Sequence, residues 1–167
     1  YNKQTGIKIS IHTTLTRMNV VLREDQYNIA NIYYSEAIQN IIMENSSFIK
    51  LIYSNHNIMT TGLFLLVALK NTTKELYFKK IKITYDINAN LTLLNRLYEI
   101  ETEILEKYNS NKKQKKIIYD TLSGGSIKIF PNSDEDIVKV NNSFILKISG
   151  IWENETEYGL TYKLLCT

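Results

Sequence analysis

The chain has 167 residues, 20 Lys plus Arg against 17 Asp plus Glu, a formal charge of +3, 44% apolar residues and a single Cys. It is long enough to bury a sizeable core as one globular domain over 1–167, too apolar to be disordered, and too poor in Cys to be a disulfide scaffold or a Cys-rich metal module. The longest purely apolar run, Leu63 to Leu69, is shorter than a bilayer span, so no membrane association is expected.

No charged and apolar leader opens the chain, and its first residue is Tyr1 rather than Met, which leaves room for a preceding segment. Ile (24), Asn (18), Lys (17) and Tyr (12) dominate the composition, while Arg numbers three and Pro one. The four abundant residues share codons rich in A and T, so lysine content by itself argues for nothing. The Asn-x-Ser/Thr sequons at Asn45, Asn71, Asn90, Asn141 and Asn154 are read as the chance yield of such a chain.

Ile7, Ile9 and Ile11 alternate with polar residues and predict a half-buried strand, with a second short one over Asn19 to Arg23. Tyr34, Ile38, Ile41 and Ile42 fall at helical spacing and predict a helix running to about Glu44. Ser46 to Tyr53 reads as either helix or strand. Ile58 to Leu69 predicts a buried strand, and Lys70 to Thr73 a polar turn into the next. In that next strand the apolar set changes parity between Leu76, Phe78 and Ile81, Ile83, Tyr85, which predicts a bulge near Lys79 and Lys80. Tyr77, Lys80 and Lys82 then face solvent.

Asn90 predicts the N-cap of a helix to about Tyr108, with Leu93, Leu97, Ile100 and Ile104 on its buried face, a Glu103–Lys107 pair, and Glu99, Glu103 and Glu106 outside. A lysine-rich loop follows to Lys116. Strands are predicted over Ile117 to Leu122 and Ser126 to Phe130, joined at Ser123-Gly-Gly, and then an acidic loop at Asp134-Glu-Asp136. In the closing stretch Phe144, Leu146, Ile148 and Trp152 share one parity. After a turn at Asn154, Tyr158, Leu160, Tyr162 and Leu164 return as the apolar face of a hairpin. The expected architecture is α+β: mostly antiparallel β-hairpins with two or three packed helices.

No enzyme is expected. His12 and His56 are isolated from thiols and carboxylates at ligand or triad spacing, Cys166 lies at the end of the chain, Ser123-Gly-Gly-Ser126 is no phosphate loop, and Asp134-Glu-Asp136, though able to hold a hard cation, lacks EF-hand spacing and reads as a solvated loop. No catalytic residue, metal or cofactor is implied. Lysines beside aromatics on strands suit single-stranded nucleic acid instead, because cations neutralise phosphates and rings stack on bases without choosing among them. The candidate residues are Tyr77, Lys79, Lys80 and Lys82, the loop lysines Lys112, Lys113, Lys115 and Lys116, and Lys147 with Lys163 on the closing hairpin. The expected path for the strand is a groove between the Tyr77–Lys82 strand and the lysine loop.

The segment Ser149-Gly-Ile-Trp-Glu-Asn-Glu-Thr-Glu-Tyr-Gly-Leu-Thr-Tyr-Lys163 resembles the closing hairpin of the single-stranded DNA-binding proteins (DBP) of large insect DNA viruses such as baculoviruses and entomopoxviruses. The resemblance implies sequence-independent single-stranded DNA binding in viral replication, unwinding or annealing of strands, and self-association as a homo-oligomer, in the host nucleus or a cytoplasmic viral factory. It marks Trp152, Tyr158, Tyr162 and Lys163, and the parity of the three aromatics suits packing of the hairpin as well as contact with DNA. A viral protein-interaction or immune-evasion domain without nucleic-acid binding is the rival reading. The order of elements is also compatible with an OB-fold nucleic-acid binder.

Overall fold

The computed structural model describes residues 20–78, 80–131 and 142–167, and of Tyr77 the backbone alone. The expected strand at Ile7 to Ile11, His12, Lys79, the acidic loop at 134–136 and the Asn141 sequon lie outside the described residues. Of the strand expected at Asn19 to Arg23, the described part makes one parallel bridge, from Leu22 to Leu65.

The first strands are β1 (Ile32–Gln39) and β2 (Ser47–Ser54), an antiparallel pair with a bulge at Ser35 and Glu36, where the Ser35 hydroxyl accepts the Lys50 N–H. This corrects the helix expected to Glu44. Tyr34 and Ile38 are strand residues, and Ile41 and Ile42 stand in the loop to β2, 99% and 98% exposed. Helical spacing over so few residues competes with the strand preference of Ile32, Tyr33 and Tyr34, and an available β2 edge decides the matter. Ser46 to Tyr53 resolves as strand.

The apolar run after Ile58 is two strands rather than one, β3 (Met59–Thr61) on β2 and β4 (Leu63–Ala68) on β9 (Ser143–Glu153). Gly62 between them has φ +96°, open to glycine and strained for other residues, and its N–H donates to the Leu51 carbonyl. The antiparallel partner of β9 is β10 (Glu157–Cys166), whose far edge takes the short parallel strand β7 (Lys113–Lys115). The large sheet therefore runs β1-β2-β9-β10-β7, with β3 and β4 filling its gaps.

A smaller antiparallel sheet is built from β5 (Thr72–Tyr77), β6 (Lys80–Tyr85) and β8 (Ser126–Ile129) in the order β5-β6-β8. The parity change expected as a bulge is a hairpin turn at Phe78, whose φ is +54°, so β5 and β6 are separate strands. Leu76 and Phe78, expected toward the core, are 63% and 83% exposed, because the hairpin tip projects past it. Ile81 and Ile83 of β6 and Ile127 and Ile129 of β8 are buried beneath this sheet.

Two α-helices among the described residues complete the α+β architecture. α1 (Leu91–Tyr108) starts after Asn90 as expected and ends at Asn109 in the left-handed region. The Asn90 side chain makes no cap hydrogen bond. Its amide accepts from Lys70 N–H and donates to the Lys70 and Asp86 carbonyls, tying the helix start to the β4–β5 turn. Leu94, Leu97, Ile100, Ile104 and Leu105 are buried, while Leu93 is half-buried. Glu99 and Glu103 both pair with Arg96, and Lys107 reaches the Ile29 carbonyl in place of Glu103.

α2 (Ile117–Leu122) corrects the strand expected there, and Ser123-Gly-Gly leads from it into β8 rather than joining two strands. The cause is a group on another helix: Glu101, with no exposed surface, accepts the N–H groups of Ile118 and Tyr119 at 3.0 and 2.9 Å and so satisfies the first turn of α2. Burial pushes the Glu101 carboxyl up, and these two hydrogen bonds work against that rise. Ile118 and Leu122, four apart, then both reach the core.

α1 lies against the large sheet, where the Tyr34 hydroxyl donates to the Ile104 carbonyl at 2.6 Å and that of Tyr158 to Leu105 at 3.4 Å. The buried side chains of both sheets and both helices form one contiguous apolar cluster, each fully buried Leu or Ile being worth about 1.5–3 kcal/mol.

Candidate nucleic-acid interface

Strand alternation places Lys80 and Lys82 of β6 opposite in parity to buried Ile81 and Ile83, so they lie on the side of the sheet away from the core, each half-buried. Lys82 pairs in register with Lys128 of β8, and the two lysines share that face. Phe130 follows with the same parity, is 59% exposed, and has the Lys80 ammonium 4.6 Å from its ring centre. Glu75 lies opposite Lys82 and Tyr77 opposite Lys80 in the register of β5. Among the described residues neither Lys80 nor Lys82 makes an ion pair.

Beside this face runs a groove of about 710 Å³ between β8 and β10, lined in part by Thr121, Ser126, Lys128, Phe130, Tyr162 and Lys163. Lys163 is exposed at its rim. Lys147 lies opposite it in the β9–β10 register, with its ammonium 5.2 Å from the Phe64 ring centre.

The lysines after α1 are in a different situation. Lys113 to Lys115 pair as β7 with Glu157 to Gly159, at the start of β10, whereas the groove lies at Tyr162 to Leu165. Lys112 meets Glu153 at 3.4 Å and Lys115 meets Glu157 at 3.0 Å. Lys116 donates to the Thr102 hydroxyl and covers the Tyr98 ring at 3.9 Å. Lys113 is exposed. The expected groove between the Lys80–Lys82 strand and this loop is not among the described features, and the structure brings Lys80, Lys82 and Lys163 together with Lys128 instead.

The hairpin that carries the resemblance has a clear structural logic. Gly150 lies where β2 crosses close to β9: a Cβ there would stand 2.2 Å from the Ile49 carbonyl oxygen. A bulge leaves Ser149 without a partner between the Gly150–Thr161 and Ile148–Tyr162 pairs. Gly150 and Ile151 are both buried in succession, so Trp152 is turned off the core, which corrects its expected parity. Its indole lines a second, apolar groove with Ile38, Ile41, Ile42, Met43 and Phe48, of about 540 Å³. Tyr158 is buried, as its parity implies, and its ring is 5.9 Å from that of Tyr108. Tyr162 is half-buried, its hydroxyl donating to Thr121 at 2.7 Å.

Glu153 accepts from Tyr108 at 2.8 Å and from Ser110 at 2.5 Å, besides meeting Lys112. Partial burial pushes its carboxyl up, but the hydrogen bonds and the Lys112 charge outweigh that and hold it below the ordinary value. Burial and Glu153 together push the Tyr108 phenol up to about 12.

Sequence reasoning missed Lys128 and Phe130 as site residues. Their signal was the alternation of Ile127, Lys128, Ile129 and Phe130, which already set one basic and one aromatic side chain on a shared face. Glu101 and the exposed pair Ile41 and Ile42 were missed as well. Among the described residues no cluster of metal-ligating side chains occurs, and no helix is long and apolar enough to cross a membrane. No protein-family model, curated protein or solved structure matches this chain.

Proposed function

We propose that the solvent face of the β5–β6–β8 sheet binds single-stranded DNA without regard to sequence. One observation carries this reading: among the described residues Lys80, Lys82, Lys128 and an exposed Phe130 share one face of the sheet, whose other side is fixed to the core. Ammonium groups on a rigid strand neutralise successive phosphates and release their counterions, while an exposed ring offers a surface on which any base stacks. The resemblance of Ser149 to Lys163 supports the same activity, and with it a role in viral DNA replication, including strand annealing or unwinding, in the nucleus or a cytoplasmic viral factory. Homo-oligomers belong to this reading too, and among the described residues β1 pairs on one side only, with β2, so that its other edge is one on which a second chain can add.

The test is fluorescence anisotropy with labelled oligo-dT, duplex DNA and single-stranded RNA over a salt series. Oligo-dT is expected to bind tightest, with an affinity that falls as salt rises. Replacing Lys80, Lys82 and Lys128 together by Ala lowers affinity about tenfold or more and reduces the salt slope by about 2. Unchanged affinity and slope remove this face from the site.

A second reading rests on a separate observation. The nearly complete exposure of Ile41 and Ile42, beside the Trp152 groove, is the mark of a docking surface for an apolar segment of a protein partner. A folded domain that binds no oligonucleotide at low salt, but loses a purified partner on Ile41→Ser with Ile42→Ser, would establish it in place of the first.

A further inference from the structure

We infer that the groove between β8 and β10 holds one unstacked base of the bound strand, with Lys128 and Lys163 taking the phosphates on either side; this rests on the single-strand reading above. The volume of about 710 Å³ lies within the range of small-molecule sites, about 300–1,000 Å³. Its lining combines what a nucleotide presents: aromatic side chains from Phe130 and Tyr162, hydroxyls from Thr121 and Ser126, and cations from Lys128 and Lys163.

The walls are organised before anything binds. The Tyr162 hydroxyl donates to Thr121, which donates in turn to the Ile117 carbonyl at 2.8 Å, so the orientation of the Tyr162 ring is tied to α2. Phe130 follows directly on a strand held by β6, with the Lys80 ammonium against its ring. A base entering here meets rings already in position, and little side-chain freedom is lost on binding. The cations keep the groove from being a purely apolar slot: an anion-bearing aromatic ligand matches it, and an uncharged aliphatic one does not. Because the groove opens beside the Lys80–Lys82–Lys128 face, a strand tracked along that face reaches it without leaving the sheet.

The inference makes affinity depend on bases as well as phosphates. Oligo-dT is compared with an abasic oligomer of the same length and charge, on the intact protein and on Phe130→Ala, whose side chain is too exposed to be needed for folding. The abasic oligomer binds intact protein about tenfold more weakly with the same salt slope, and Phe130→Ala closes that gap by weakening oligo-dT alone. Tyr162→Phe, which keeps the ring and loses the hydroxyl, retains most of the gap.

Equal binding of the two oligomers overturns the base subsite while leaving the single-strand reading intact. A gap that survives Phe130→Ala moves the base contact elsewhere and overturns it too. Failure of both oligomers to bind at low salt overturns the reading itself and the subsite with it.

Discussion

The lysines of the β6–β8 face and those after α1 look alike in the sequence and behave as opposites in the fold. Lys80 and Lys82 alternate with buried isoleucines and make no ion pair among the described residues, whereas Lys112 and Lys115 meet Glu153 of β9 and Glu157 of β10 and Lys116 lies along Tyr98. Lys112 to Lys116 is the denser run. It is also the one whose charge is largely consumed in holding β7 to β10 and the helix end to the sheet. Basic density along a chain therefore says little about where an anion binds; whether a carboxylate comes within reach of each ammonium says more, since Glu75 stands opposite Lys82 without an ion pair among the described residues, while Glu153 and Glu157 meet Lys112 and Lys115.

The largest effect is expected from Glu153→Ala. It leaves Tyr108, Ser110 and Lys112 without their common acceptor and is expected to lower stability by about 2–3 kcal/mol in urea denaturation, with DNA affinity unchanged. A loss of DNA binding by the folded variant would join the two lysine groups into one site. Replacing Lys112, Lys113 and Lys115 by Ala should cost about 1 kcal/mol through the two surface pairs and move oligo-dT affinity less than about twofold. A drop as large as that expected for Lys80, Lys82 and Lys128 would reverse the assignment.

Acid sharpens the contrast further. Glu153 has a folded-state value below its ordinary 4.5, so the stability it contributes is present above that value and is lost as pH falls below it. Glu101 has the opposite sign, since its raised value makes the ionised form a liability that grows as pH climbs through the window above 4.5. Urea midpoints followed downward from neutral pH should fall less steeply in Glu153→Gln than in the parent, and a parallel pair of curves would contradict the network. The smallest effect is expected from Ile41→Ser with Ile42→Ser. Both side chains are exposed, so the unfolding free energy should change by less than about 0.5 kcal/mol, and a larger loss would mean that the loop packs in solution.

Much of this fold was legible from alternation. The Ser126 to Phe130 strand, the Asn90 helix start and the closing hairpin all follow from apolar spacing, because burial of one face imposes that spacing directly. The errors fall where a second element decides. Ile117 to Leu122 has strand-forming residues and becomes a helix because Glu101, on α1, satisfies its first amides. Trp152 has the parity of the core and leaves it because a bulge at Ser149 and the approach of β2 at Gly150 shift the pattern. Half of the candidate site was visible in the same way: Lys80 and Lys82 by their alternation, but Lys128 and Phe130 only after β8 paired with β6.

The α+β class, the run of α1 and the two-faced character of β6 and β8 are written in the chain. These are local consequences of side-chain period, and period is a property of the chain. Which lysines meet a carboxylate is set by the tertiary structure alone. That depends on which elements each residue lies beside and whether a carboxylate comes within ion-pair reach, and contact between residues tens of positions apart leaves no periodic trace in the chain.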